Sequence, residues 1–93
     1  MISTNEYFGG NVKSLGYTSA SGQSTVGVME AGEYEFSTST HETMYVIEGK
    51  MTVKLPNNST WVAYNPGDSF KIDANEKFQV KVSSQTSYLC QYS

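Results

Sequence analysis

The chain contains no arginine, one cysteine, one histidine and two prolines among its 93 residues, and each scarcity narrows what it can do. All six basic residues are lysines, set against nine acids for a net charge of −3 and a pI near 4.9. Nucleic-acid backbones are gripped by clustered cations, so no nucleic-acid partner is expected. Losing the guanidinium also removes the side chain best shaped to fork onto a phosphate. Cys90 has no partner for an internal disulfide, a usage that fits a reducing, cytoplasmic compartment. The opening "MISTNEYFGG" carries neither a basic leader nor an apolar run, so neither a secretory signal nor a membrane segment is expected there.

Also missing is any sustained helical stripe. Apolar positions recur with period two nearly everywhere, and seven Tyr and four Phe suit pleated surfaces. The pattern predicts strands over 6–8, 12–18, 25–29, 32–38, 43–49, 50–56, 61–64, 68–72, 77–83 and 87–92. Turn signals separate them: "FGGN", "ASGQS", "EAGE", "EGK", "PNNS", "NPGD" and "DANE". Many short strands with no helix to cover a sheet predict an all-β closed barrel or jelly roll. At this length it is a single domain over 1–93, burying ~60–65% of its unfolded surface.

Alternation also sorts the lysines. With Met51, Val53 and Leu55 inward, Lys54 faces out; Phe70 and Ile72 send Lys71 out; Phe78, Val80 and Val82 send Lys77 and Lys81 out. Lys50 sits at a hairpin tip. Lys13 alone has a direction the pattern leaves open.

The stretch "HETMYVIEGK" (41–50) is similar to the end of the first cupin motif, in which a glutamate ligand precedes a glycine by seven residues, as Glu42 precedes Gly49. Counting back from Glu42, the two histidines of that motif fall on Phe36 and Thr38. In the second motif, entered at Gly67, the proline falls on Asp73 and the histidine on Phe78. His41 has the opposite parity to Glu42 and points away from the interior. A lone carboxylate beside a threonine is not a transition-metal site, which takes about three or more N, O or S donors. The scaffold therefore reads as a cupin without metal. Its interior would present Phe36, Thr38, Glu42 and Phe78, suited to a flat heterocycle and a sugar's hydroxyls. Inward phenylalanines also simply fill small barrels, whereas an inward carboxylate without a partner is costly and points to function.

Over residues 5–92, "NEYFGGNVKSLGYTS", "STVGVMEAGEYEFST", "EGKMTVKLP" and "SYLCQY" together resemble the small cupin family of pyrimidine/purine nucleoside phosphorylases. The resemblance implies a metal-free, cofactor-free enzyme that uses inorganic phosphate to split both nucleoside classes into free base and ribose 1-phosphate. It implies Glu42 and Thr38 as catalytic residues, with Glu42 gripping ribose hydroxyls and favouring the developing cation. Phe36, Phe78 and Tyr7 would stack on the base, with Ser37 nearby. For phosphate it points to Lys13, Ser19, Ser21, Gln23 and Gln91, the serines lying in "TSASGQST", a composition equally typical of a plain hairpin turn. Gln23 or its neighbour, and Gln91, stand where the family pattern carries arginine. Trp61 reads as a strand-packing residue and Cys90 as a buried small hydrophobe.

Two other readings share the scaffold. One is a non-catalytic cupin that binds a nucleoside, nucleotide or sugar. The other, a metal-dependent dioxygenase or isomerase, conflicts with the ligand audit. Cupins of this size commonly pair strands or sheet faces between subunits, and a barrel this short gains by burying an edge, so a homodimer is expected.

Overall fold

The computed structural model describes all 93 residues, and every regular element but one is a strand. The strands are β1 (Ser3–Tyr7), β2 (Val12–Ser19), β3 (Gly22–Met29), β4 (Gly32–Ser37), β5 (Glu42–Glu48), β6 (Met51–Lys54), β7 (Val62–Tyr64), β8 (Ser69–Ile72), β9 (Lys77–Val82) and β10 (Thr86–Tyr92). The exception is a short 3-10 turn at Phe8–Gly10. A strand over 6–8 was expected; instead β1 runs from Ser3 to Tyr7, and Phe8, Gly9 and Gly10 all take positive φ, of 54°, 68° and 93°.

The strands form two antiparallel sheets, β1-β2-β3-β10-β5-β8 and β4-β9-β6-β7, facing each other in jelly-roll fashion. No continuous ladder joins them into a closed barrel. Fourteen buried apolar residues fill the space between, among them Val12, Met29, Met51, Val53, Ile72 and Val80, each no more than 1% exposed. At ~1.5–3 kcal/mol for each such side chain, this shared core is what holds the two sheets together. The inward sets Met51/Val53, Phe70/Ile72 and Phe78/Val80/Val82 follow the alternation, and their lysines point outward.

Two glycines are demanded by close approach. Gly49 turns β5 into β6 at φ 96°, and a Cβ there would lie 2.5 Å from Thr86 Oγ1. Gly27 on β3 leaves room for the Tyr88 ring, whose Cζ and Oη would be 2.5 Å from any added Cβ. That slot aims Tyr88 along the inner face on the same rung as Ser14, with Gly27 between them.

Candidate active site

A cavity of about 370 Å³ opens between the sheets at one end. Its wall is drawn from both sheets: Tyr7, Ser14, Glu42, Met44, Tyr88, Cys90 and Tyr92 from the six-stranded one, Phe36, Ser37 and Phe78 from the other. Strand period explains the set. Tyr88, Cys90 and Tyr92 alternate along the inner side of β10, and Cys90 pairs with Met44 and Tyr92 with Glu42 across the ladder to β5.

Phe36 and Phe78 face each other across β4 and β9 and stack, centroids 5.5 Å apart at 26°. They stack on each other and leave no slot between them, so the half-buried Phe36 offers the ring face while Phe78, 2% exposed, forms the floor. Phe8 meets Phe36 edge-on at 5.5 Å and Tyr34 at 5.0 Å. Its φ of 54° costs on the order of 1–2 kcal/mol, which these ring contacts offset. Phe8 escapes sequence reading because it sits in a turn that hydrophobic periodicity treats as the tail of a strand.

Glu42 is the acid aimed inward. Burial pushes its carboxyl above the ordinary value, while the Cys90 thiol, donating to Oε1 at 3.4 Å, and nearby His41 pull the other way. Burial also pushes the Tyr88 hydroxyl up to about 12, with Cys90, Tyr7 and Glu42 adding to the rise and Ser14 opposing it. The Cys90 thiol and the Tyr92 hydroxyl are likewise raised, first by burial. At neutral pH these groups keep their protons. The cavity is therefore walled by O–H donors and rings around a single inward carboxylate, since Glu35 at the rim is held outward by Lys77 at 3.8 Å.

Other expected residues lie elsewhere. Thr38 is buried but outside the cavity; its hydroxyl donates to the Asp73 carbonyl at 2.6 Å and accepts from the Glu76 N–H at 3.0 Å, tying the end of β4 to the β8–β9 turn. Lys13 was expected as the inward cation, but Val12 and Ser14 take the inner face and Lys13 lies exposed, 3.8 Å from Glu6. Ser19 and Ser21 cap the β2–β3 hairpin, with the Ser21 N–H donating to Ser19 Oγ at 3.1 Å. Gln23 lines a shallower polar depression with Ser3, Asn5, Thr25 and Tyr92, and Gln91 faces outward between Ser24 and Thr43. Tyr7, Ser37, Phe36, Phe78 and Glu42 are brought together. Ser14, Tyr88 and Tyr92 join them unforeseen, although the alternation in "SYLCQY" carries the signal for the two tyrosines.

No three His, Cys, Asp or Glu side chains converge anywhere in the molecule. His41 turns to the chain end, with Nδ1 3.0 Å from Ser93 Oγ. No helix is long and apolar enough to cross a membrane.

The two facing sheets and the cavity between them define a cupin fold. An RmlC-like cupin from Shewanella frigidimarina superposes with a TM-score of 0.74 at 16% identity, over 98% of this chain and 82% of that one. A protein of unknown function from Vibrio parahaemolyticus is far nearer, with a TM-score of 0.96 at 41% identity over 100% and 99% of the two chains. The profile of the family described as pyrimidine/purine nucleoside phosphorylase matches residues 2–92. Relatives bearing that name in Pseudoalteromonas atlantica and Pseudomonas syringae pv. tomato are 55% and 52% identical, each over 99% of both chains. The chain belongs to the pyrimidine/purine nucleoside phosphorylase family.

Proposed function

We propose that the protein cleaves purine and pyrimidine nucleosides with inorganic phosphate, without a metal or other cofactor, releasing free base and ribose 1-phosphate. The observation that carries this reading is one half-buried carboxylate, Glu42, set among aromatic rings in a cavity of about 370 Å³, within the ~300–1,000 Å³ range of small-ligand sites.

In the reaction the C1′–N bond breaks with its electron pair going to the base, and a phosphate oxygen forms the new bond to C1′ on the opposite face of the ribose. Glu42 accepts hydrogen bonds from ribose hydroxyls and stabilises positive charge as it develops at C1′. The open face of Phe36, with Tyr7 beside it, stacks on the base. Stacking without edge-specific hydrogen bonds tolerates both base classes, because every base has a π-face. Ser14, Ser37 and Tyr88 supply neutral hydroxyl donors for phosphate and ribose. Metal independence is favoured by the residues at the cupin ligand positions: Phe36 and Thr38 stand at the histidines of the first motif, and Phe78 at that of the second.

A second reading rests on one specific observation, that no lysine lines the cavity. A site without a cation suits a neutral nucleoside better than a phosphate anion, as in a non-catalytic nucleoside-binding cupin. The lone buried thiol fits the cytoplasm, and the net negative charge disfavours nucleic-acid or anionic-membrane partners.

One experiment separates the readings: incubate chelator-treated protein with uridine and with inosine, with and without phosphate, and resolve the products by chromatography. Phosphate-dependent release of both bases with ribose 1-phosphate is the expected result. Nucleoside binding without release would give first place to the binding module, and release abolished by the chelator would end the metal-free mechanism.

A further inference from the structure

Glu42 makes one side-chain hydrogen bond, and the Cys90 thiol donates it, to Oε1 at 3.4 Å. The ladder makes this contact a diagonal one. Glu42 is the first residue of β5, and its Cα partners are Tyr92 on β10 and Ile72 on β8. Cys90 lies one inner position further along β10, opposite Met44, at the ~7–8 Å diagonal that a long side chain can span. The bond therefore lays the carboxylate along β10 toward Tyr88 and away from the chain end.

No other neighbour competes for it. The Tyr92 hydroxyl is bonded to Thr25 Oγ1 at 3.2 Å, His41 is turned to Ser93 at 3.0 Å, and Ile72 has no polar side-chain atom. The remaining ionisable groups on the cavity wall are Tyr7, Glu35 and Tyr88, with Glu35 drawn to Lys77 at 3.8 Å. None of them donates to Glu42, and Oε2 carries no bond to the chain.

We propose that Cys90 is the positioning residue of this site, its thiol holding the Glu42 carboxylate by Oε1 so that Oε2 meets the ribose hydroxyls. The role rests on the phosphorolytic reading given above for Glu42. A thiol suits it for two reasons. Cys90 is 2% exposed, and burial with the nearby carboxylate raises its thiol, so the donor keeps its proton throughout the working pH range. It is also a weak donor, which orients the carboxylate yet cancels only part of the rise that burial imposes on Glu42. Charge that is both oriented and poorly solvated is what favours a cation developing at C1′.

The test uses two nearly isosteric substitutions with opposite expected signs. Cys90→Ser puts a stronger donor on Oε1, and Cys90→Ala removes the donor. The titration of Glu42 is followed by NMR of its side-chain carboxyl carbon, and kcat/KM for inosine with phosphate is measured over the same pH range. The Glu42 midpoint is expected to fall in Cys90→Ser and to rise in Cys90→Ala, with the acid limb of kcat/KM moving alongside. At neutral pH Cys90→Ala is expected to lose about tenfold in kcat with KM nearly unchanged, and Cys90→Ser to keep most of the wild-type rate. A merely structural role would lower stability in both variants without moving the midpoints in opposite directions. Should Cys90→Ala fail to fold, the downward shift in Cys90→Ser decides. Midpoints that stay at the wild-type value, or that move the same way in both variants, overturn the proposal. So does a Cys90→Ala that retains the wild-type kcat. The carboxyl titration needs no turnover, so a chain that splits no nucleoside would end the phosphorolytic reading while the NMR still shows whether Cys90 holds Glu42.

Discussion

The two faces of the six-stranded sheet use one backbone for opposite ends. Along β10 the odd-numbered Ser87, Leu89 and Gln91 look outward, while Tyr88, Cys90 and Tyr92 look into the cavity. Inside, Cys90 donates to Glu42, Tyr92 bonds Thr25 at 3.2 Å, and no fully buried side-chain polar atom lacks a partner, while the Ser37 and Tyr88 hydroxyls line the cavity. Outside, Leu15, Val26, Leu89 and Tyr45 lie side by side across β2, β3, β10 and β5 as an apolar rung, with Leu15 49% and Val26 36% exposed. A strand's two-residue period thus lets one seven-residue strand line a cavity on one side and leave apolar side chains in the open on the other, provided register never slips. Gly27 guards the register from within, because only a glycine there lets Tyr88 lie flat between β2 and β10.

If the inner face serves catalysis, its variants should change turnover or stability while the mass in solution stays that of the wild type. The largest effect is expected from Glu42→Gln, which keeps volume and removes the charge. Loss of a preorganised charge at the reacting centre should lower kcat/KM by about 10²–10³, with the far-ultraviolet circular dichroism unchanged. Turnover within a few-fold of wild type would remove Glu42 from the mechanism.

Next comes Phe78→Ala. It opens a void under Phe36 and against Phe70, whose centroid is 6.2 Å away, and should destabilise the fold by about 3–5 kcal/mol in urea titration. A cost below ~1 kcal/mol would mean that the floor of the cavity collapses freely and is no rigid platform. Smaller again is Thr38→Val. The substitution is nearly isosteric but removes the bonds that the buried Thr38 hydroxyl makes to the Asp73 carbonyl and the Glu76 N–H, at a cost of about 1 kcal/mol. Urea unfolding measures this directly. A fall in kcat/KM at unchanged stability would instead place Thr38 in the chemistry.

The fold was legible because strand period and turn residues agree at nearly every boundary; "NPGD" and "EGK" mark their turns by composition alone. Of the site, Glu42, Phe36 and Phe78 were legible because cupin spacing fixes where inward positions fall. The anion-binding expectations fared differently for a physical reason. Lys13 was assigned by elimination, and elimination cannot see that Val12 and Ser14 take the two inward positions on either side of it. Ser19 and Ser21 have the composition of an anion-binding turn, but the length of β2 and β3 carries them to a hairpin tip away from the cavity. Phe8 was invisible because only its left-handed backbone, not any pattern in sequence, swings its ring over Phe36.

The smallest predicted effect tests whether Glu42 is held against its own solvation. Its carboxyl is raised above the 4.5 of an unperturbed glutamate, chiefly by burial, so the folded chain holds this proton more tightly than the unfolded one. The stability linked to it is therefore fully present below the unfolded value and is lost as pH rises through the higher folded value. Glutamine cannot ionise and escapes that loss. Glu42→Gln should then melt about 1–3 °C above wild type at neutral pH, and the gap should close as pH falls below 4.5. Because the group is only half-buried, solvent screening keeps the gain small. A variant that melts lower than wild type at neutral pH would show that the ionised carboxylate is stabilised by its neighbours. Cys90 and His41 would then outweigh burial, and Glu42 would be a structural anchor of the inner face.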